Sequence, residues 1–150
     1  VRNACEKNYC GCYGKYWSCP PGVGDWQELK LHFSRYRHAF VYTTKHELED
    51  SFDFEGMMTA KSEHTDNDDF LEKYLKDASS EKFEITGAEG CRICKNCSYP
   101  DAPCRFPEKM KKTVEACGID VVDLAKNCSM HYTNGENTVT YFSIIFYDVI

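Results

Sequence analysis

Ten cysteines are spread unevenly over 150 residues, and their spacing constrains this chain more than any other feature. Cys5, Cys10, Cys12 and Cys19 form one group, Cys91, Cys94, Cys97 and Cys104 a second, Cys117 and Cys128 stand singly, and residues 20–90 contain none. In the second group a spacing of three repeats. On a non-helical loop, thiolates so placed wrap three corners of a cubane iron-sulfur cluster while the backbone aims its amides at the sulfides. A tetrahedral zinc site pairs two C-x2-C hooks and has no use for a third equally spaced thiolate, so zinc is the alternative. The run departs from that of bacterial ferredoxins: six residues separate Cys97 from Cys104, and Arg105-Phe106-Pro107 follows.

In the first group Cys5, Cys10 and Cys19-Pro20-Pro21 supply three more ligands; Cys12 is set aside because it lies too near Cys10 for both to bind one metal comfortably. A second iron-sulfur site leads here, with a disulfide pair or a zinc knuckle as the other readings. Cys117 and Cys128 fall on helical patterns and read as small buried hydrophobes. Lys15 and Arg105 lie beside the cysteines, where a cation offsets the charge of a thiolate-bound cluster and raises its potential; each also reads as a solvated surface charge. Trp17, Tyr99 and Phe106 are candidates for shielding the metal from water.

The remaining sequence predicts an α+β fold: a largely antiparallel sheet with helices on one face, and two cysteine-rich metal-binding loops at one edge. Residues 1–24 carry too many glycines and prolines for a helix. Asp25 caps a helix over Trp26 to Arg35. His38 to Leu48 is a strand, rich in β-branched and aromatic residues. Glu55 to Lys76 forms helix at both ends, but its polar centre, EHTDNDD, predicts a solvated bend between two helices or within a kinked one. Lys82 to Thr86 is a short strand leading into Cys91. Pro107 opens a helix running to about Cys117 and closed by Gly118, and Asp120 caps another to about Asn127. Met130 to Tyr132 and Thr138 to Val149 read as a hairpin around Asn134-Gly135, with the last strand central because nearly every residue in it is apolar.

A chain of this length, 42% hydrophobic, suffices for a single domain over 1–150 that buries a core without disulfide support. The net charge of −6 and pI near 5.4 argue against nucleic acid as a partner. No run approaches the ~20 apolar residues of a membrane helix. The first residue is Val and no basic-then-apolar leader follows it, which predicts the cytoplasm. None of the five histidines shows paired metal spacing, and no phosphate loop, dinucleotide fingerprint or serine-nucleophile elbow is present.

The segments Cys5, Asn8-Tyr9-Cys10-Gly11, Tyr13-Gly14-Lys15 and Trp17-Ser18-Cys19-Pro20-Pro21, with CRICKNCSYPDAPCRFPEKM, EACGIDV and NGENTVTYF, resemble a bacterial and archaeal family of predicted metal-binding proteins, domain of unknown function 2284. The resemblance implies cysteine-bound metal, iron-sulfur first, held by Cys5, Cys10, Cys19, Cys91, Cys94, Cys97 and Cys104. Seven thiolates suit one four-cysteine cluster and one three-cysteine cluster with an open iron, a Lewis acid. The simplest allocation gives Cys91, Cys94, Cys97 and Cys104 to the closed site and Cys5, Cys10 and Cys19 to the open one; a crossed allocation through Cys19, which precedes a proline, is the alternative. The expected activity is electron transfer with a redox partner protein, or redox or Lewis-acid chemistry on a small substrate, in an oxygen-poor cell; the alternative is a zinc-binding structural or adaptor module without redox activity.

Overall fold

The computed structural model describes residues 1–78 and 81–148. Three strands, β1 (His38–Glu47), β2 (Phe83–Thr86) and β3 (Thr138–Tyr147), form one antiparallel sheet in the order β1-β3-β2. β3 is central, as its apolar run requires: Tyr141 to Ile145 are all buried. The fold is α+β.

Among the described residues four helices accompany the sheet: α1 (Arg2–Glu6), α2 (Trp26–Phe33), α3 (Phe54–Ala78) and α4 (Val121–Asn127). Asp25 accepts from the amides of Gln27 and Glu28 at the start of α2, and Asp120 from those of Val122 and Asp123 at the start of α4. α3 lies on the face of the sheet formed by Tyr42, Thr44, Tyr141, Ser143 and Ile145, where Leu75, Ile85 and Ile145 form an apolar cluster. The opposite face is met by α2 through Phe33, whose ring centroid lies 4.4 Å from that of Phe146. Helical material therefore reaches both faces, the long helix on one and a short one on the other.

The expected bend at EHTDNDD does not occur; α3 is one helix of 25 residues. Lys61, His64, Asp68, Leu71 and Leu75 recur every three or four residues and, with Ala60, form the face turned to the sheet, so the polar centre is the most enclosed part of the helix. His64 and Asp68 are fully buried. His64 bonds Thr44 Oγ1 through Nδ1 (2.8 Å) and Ser143 Oγ through Nε2 (2.9 Å), while the Tyr42 hydroxyl donates to Asp68. Those partners satisfy groups that on an isolated helix would compete with its backbone.

Three other expectations are corrected. The first five residues after Val1 precede any glycine or proline and form α1. The segment from Pro107 holds only turns and a short 3-10 helix, Glu115–Cys117, closed as expected by Gly118 at φ 80°. Met130 to Tyr132 is no strand: β3 pairs with β1 and β2, and the Asn134 side chain instead bonds the carbonyl of His131 and Thr140 Oγ1. Val149, the last residue of the expected strand, lies outside the described residues.

Candidate metal centre

Both cysteine groups lie at the end of the sheet where β2 finishes, all on irregular backbone except Cys5, which belongs to α1. The second is an excursion whose base is pinched shut: Gly87 N–H donates to the Lys112 carbonyl (2.9 Å) and Val114 N–H to the Gly87 carbonyl (3.2 Å). Between these points the loop turns on its own contacts. Ala102 N–H donates to the Ser98 carbonyl and Ser98 Oγ to the Pro103 carbonyl (2.8 Å), folding the six-residue spacer so that Cys104 comes back beside Cys91, Cys94 and Cys97. These four half-buried thiols bound one narrow cavity of about 10 Å³, closed by Trp17, Phe106 and Arg105.

The first group bounds a separate, wider cavity of about 290 Å³, lined by Cys5 from α1 and by Cys10, Cys12 and Cys19 from the loop after it. Cys12, set aside on spacing alone, is buried in this wall, because the positive φ of Gly11 (71°) turns the chain between it and Cys10. A hydrogen bond from the Cys19 thiol holds Cys12 below the ordinary thiol range, at about 6, against the opposing effect of burial. The same bond, followed by burial, pushes Cys19 up.

Ser18 joins the two loops. Fully buried, its hydroxyl accepts from the Cys91 amide (2.9 Å) and lies 3.8 Å from Cys19 Sγ, while its carbonyl accepts from Thr113 N–H (3.4 Å). Trp17 adds a bond from its indole N–H to the Ala102 carbonyl (3.1 Å) and an edge-on contact with Tyr99. The loops also touch where only glycine fits: a Cβ on Gly90 would stand 2.7 Å from the Tyr16 ring and 3.2 Å from Cys12 Sγ. Neither Ser18 nor Gly90 carries a ligand's chemistry, so cysteine spacing gave no signal for them.

Backbone amides point at the sulfurs. Ile93 N–H bonds the Cys91 thiol, Gly90 N–H that of Cys12, and Cys12 N–H that of Cys10; each bond favours thiolate. Burial is the larger effect at Cys91 and pushes its thiol up, with Cys104, Cys94 and Cys97 adding like charge. A cationic metal reverses such penalties by drawing off the proton. Arg105 donates to the Asn96 carbonyl (2.9 Å) and lines the second cavity, whereas Lys15 is exposed and lines neither. Arg2, on α1, donates to the Gly24 carbonyl, keeps a buried Nε without a partner among the described residues, and places its charge where Cys5 feels it. Cys117 is buried, as expected; Cys128 is exposed, because it ends α4 on the solvent side.

All ten cysteines are free thiols, and among the described residues no three His, Cys, Asp or Glu side chains are drawn together closely enough to hold a single metal ion. The donor chemistry nonetheless suits a thiophilic metal: four sulfurs on each cavity, amides directed at several of them, and the partly buried Arg2 beside Cys5. The family described as Predicted metal-binding protein (DUF2284) matches residues 1–147. The chain belongs to this family. No curated protein and no solved structure matches it. It is thus a cysteine-rich member of a predicted metal-binding family, and among its described residues no helix is long and apolar enough to cross a membrane.

Proposed function

We propose that this member of the family is an iron-sulfur protein of the cytoplasm that transfers electrons, with one cysteine group holding a closed cluster and the other a cluster open to a small substrate. The observation that carries this reading is the partition of the thiols: each group bounds its own cavity, so neither has to lend a cysteine to the other. That favours the simple allocation over the crossed one. Bound there, four-iron clusters supply one-electron exchange, and an iron lacking its thiolate supplies a Lewis-acid position.

The chain's own residues do the rest. Cys91, Cys94, Cys97 and Cys104 hold the closed site; Trp17 and Phe106 exclude water from it, and Arg105 steadies the loop while placing positive charge at its wall. Cys5, Cys10 and Cys19 hold the other, with Cys12 as a fourth sulfur near by. Ser18, bonded toward both loops, fixes their separation, which governs the rate of electron passage between them. A redox partner protein reaches the closed site at its exposed loop.

Zinc remains the second reading for one specific reason: the four thiols of Cys91, Cys94, Cys97 and Cys104 around one narrow cavity of about 10 Å³ are also the donor set of a tetrahedral zinc site, and a cubane needs that loop to open further than a single ion does. Anaerobic purification followed by absorption spectroscopy and iron, sulfide and zinc analysis decides. Brown protein with acid-labile sulfide supports the clusters; colourless protein with zinc and no sulfide sinks them.

A further inference from the structure

A cleft of about 690 Å³ adjoins the first cysteine cavity, and Cys10 and Cys12 belong to the walls of both. Its volume lies within the range of small-molecule sites. Parts of the chain far apart in sequence build it: the first cysteine loop, the start of α3, the Gly90 turn and one end of β3. Two features indicate what it takes. Tyr9, Phe54, Met58 and Tyr132 are among the large apolar side chains left exposed, and all four line this cleft, with the rings of Tyr16 and Tyr141 deeper in. Exposed rings and a thioether on a wall that is otherwise about half polar suit a ligand with a flat apolar body and a polar end.

The charges differ in their commitments. Lys61 is ion-paired with Glu89 at 2.5 Å, and Glu115 stands on the wall shared with the cysteine cavity. Arg92 has no hydrogen bond or ion pair among the described residues, and its charge is felt at both Tyr16 and Tyr141. A planar guanidinium without a partner at the mouth of an aromatic cleft matches a carboxylate, which it can hold by two parallel bonds.

We propose that this cleft binds a small aromatic carboxylate, its ring among Tyr9, Phe54, Met58 and Tyr132 and its carboxylate on Arg92. That such a ligand is also the substrate rests on the open site proposed above; the binding itself does not. The test is calorimetric titration of the anaerobically purified chain with benzoate, benzamide and acetate, alongside iron and sulfide analysis of the same preparation. Benzoate is expected to bind at least tenfold more tightly than benzamide or acetate, and Arg92→Gln to erase that preference while leaving benzamide unchanged. Since Arg92 neighbours Cys91, a second readout on the unaltered chain guards against misfolding: the methyl resonances of Met57 and Met58, which line the cleft, should shift with benzoate, and that of Met130, which does not, should stay. Benzoate binding no tighter than that of the other two probes, or shifting Met130 alone, overturns the proposal. Selective binding to a preparation without sulfide would keep the cleft and remove the iron-sulfur reading; sulfide without selective binding does the converse.

Discussion

The two cysteine loops hold similar numbers of thiols in opposite surroundings. The second is narrow, made of four half-buried thiols, closed by an indole, a phenyl ring and a guanidinium, and pinched at its base by backbone bonds. The first is about 290 Å³, mixes buried Cys12 and Cys19 with exposed Cys10, and shares a wall with the 690 Å³ cleft. The lesson is that cysteine count fixes donor chemistry, while the surrounding walls decide access. An enclosed site suits electron passage and an accessible one suits a ligand.

The largest effect expected from breaking one side of this comparison is on metal content. Cys97→Ser should remove the metal of the second loop and leave that of the first, and Cys19→Ala the reverse, so that each variant retains about half the metal. Elemental analysis checks it, and loss of all metal from either variant would show that the thiols are not partitioned by cavity.

The next test separates the loops without touching a thiol. Ser18→Ala leaves the Cys91 amide without its buried acceptor, at an expected cost of about 1–3 kcal/mol in urea unfolding. Unlike either cysteine variant, it should speed the release of metal to a chelator from both loops. Release from one alone would mean that Ser18 does not join them.

A smaller effect comes from the polar interior beneath the second loop, where Asp68 Oδ2 lies 3.5 Å from the position a Cβ on Gly87 would take. Burial, with a lesser contribution from His46, lowers His64 to about 4, so the unfolded chain binds the extra proton and stability falls as pH drops from about 6.5 toward 4. Burial raises Asp68 to about 6, against its hydrogen bonds from Tyr42 and Ser143. There the folded chain binds the extra proton, and stability rises as pH falls through about 6 toward 4. The two slopes oppose each other. Asp68→Asn removes the second, so this variant should lose about 1 kcal/mol more than the unaltered chain between pH 7 and 5. Urea midpoints at the two pH values measure the difference, and a shallower loss in the variant would reverse the assignment.

The smallest expected effect is on the redox potential of the cluster proposed for the second loop. Arg105 lines the second cavity and Lys15 lines neither, so Arg105→Gln should lower the potential of the second site by more than Lys15→Gln does. Redox titration compares them, and equal shifts would leave Arg105 no special place.

The sequence by itself determined what local chemistry controls. Asp25 and Asp120 cap their helices because a carboxylate that accepts from the first amides needs no distant partner. The apolar run of β3 could only be central, and the two cysteine groups announce thiophilic metal through composition and spacing. What only the tertiary structure decided lies where distant partners change the meaning of a residue. EHTDNDD resembles a solvated bend until Thr44, Tyr42 and Ser143 of the sheet satisfy His64 and Asp68 and keep α3 continuous. Asn134-Gly135 carries the chemistry of a hairpin turn, but β3 finds better partners in β1 and β2, so no hairpin forms. Cys12, Ser18, Gly90 and Arg92 acquire their places only when the loops meet. Contact between segments some seventy residues apart in sequence is set by packing, and no local pattern encodes it.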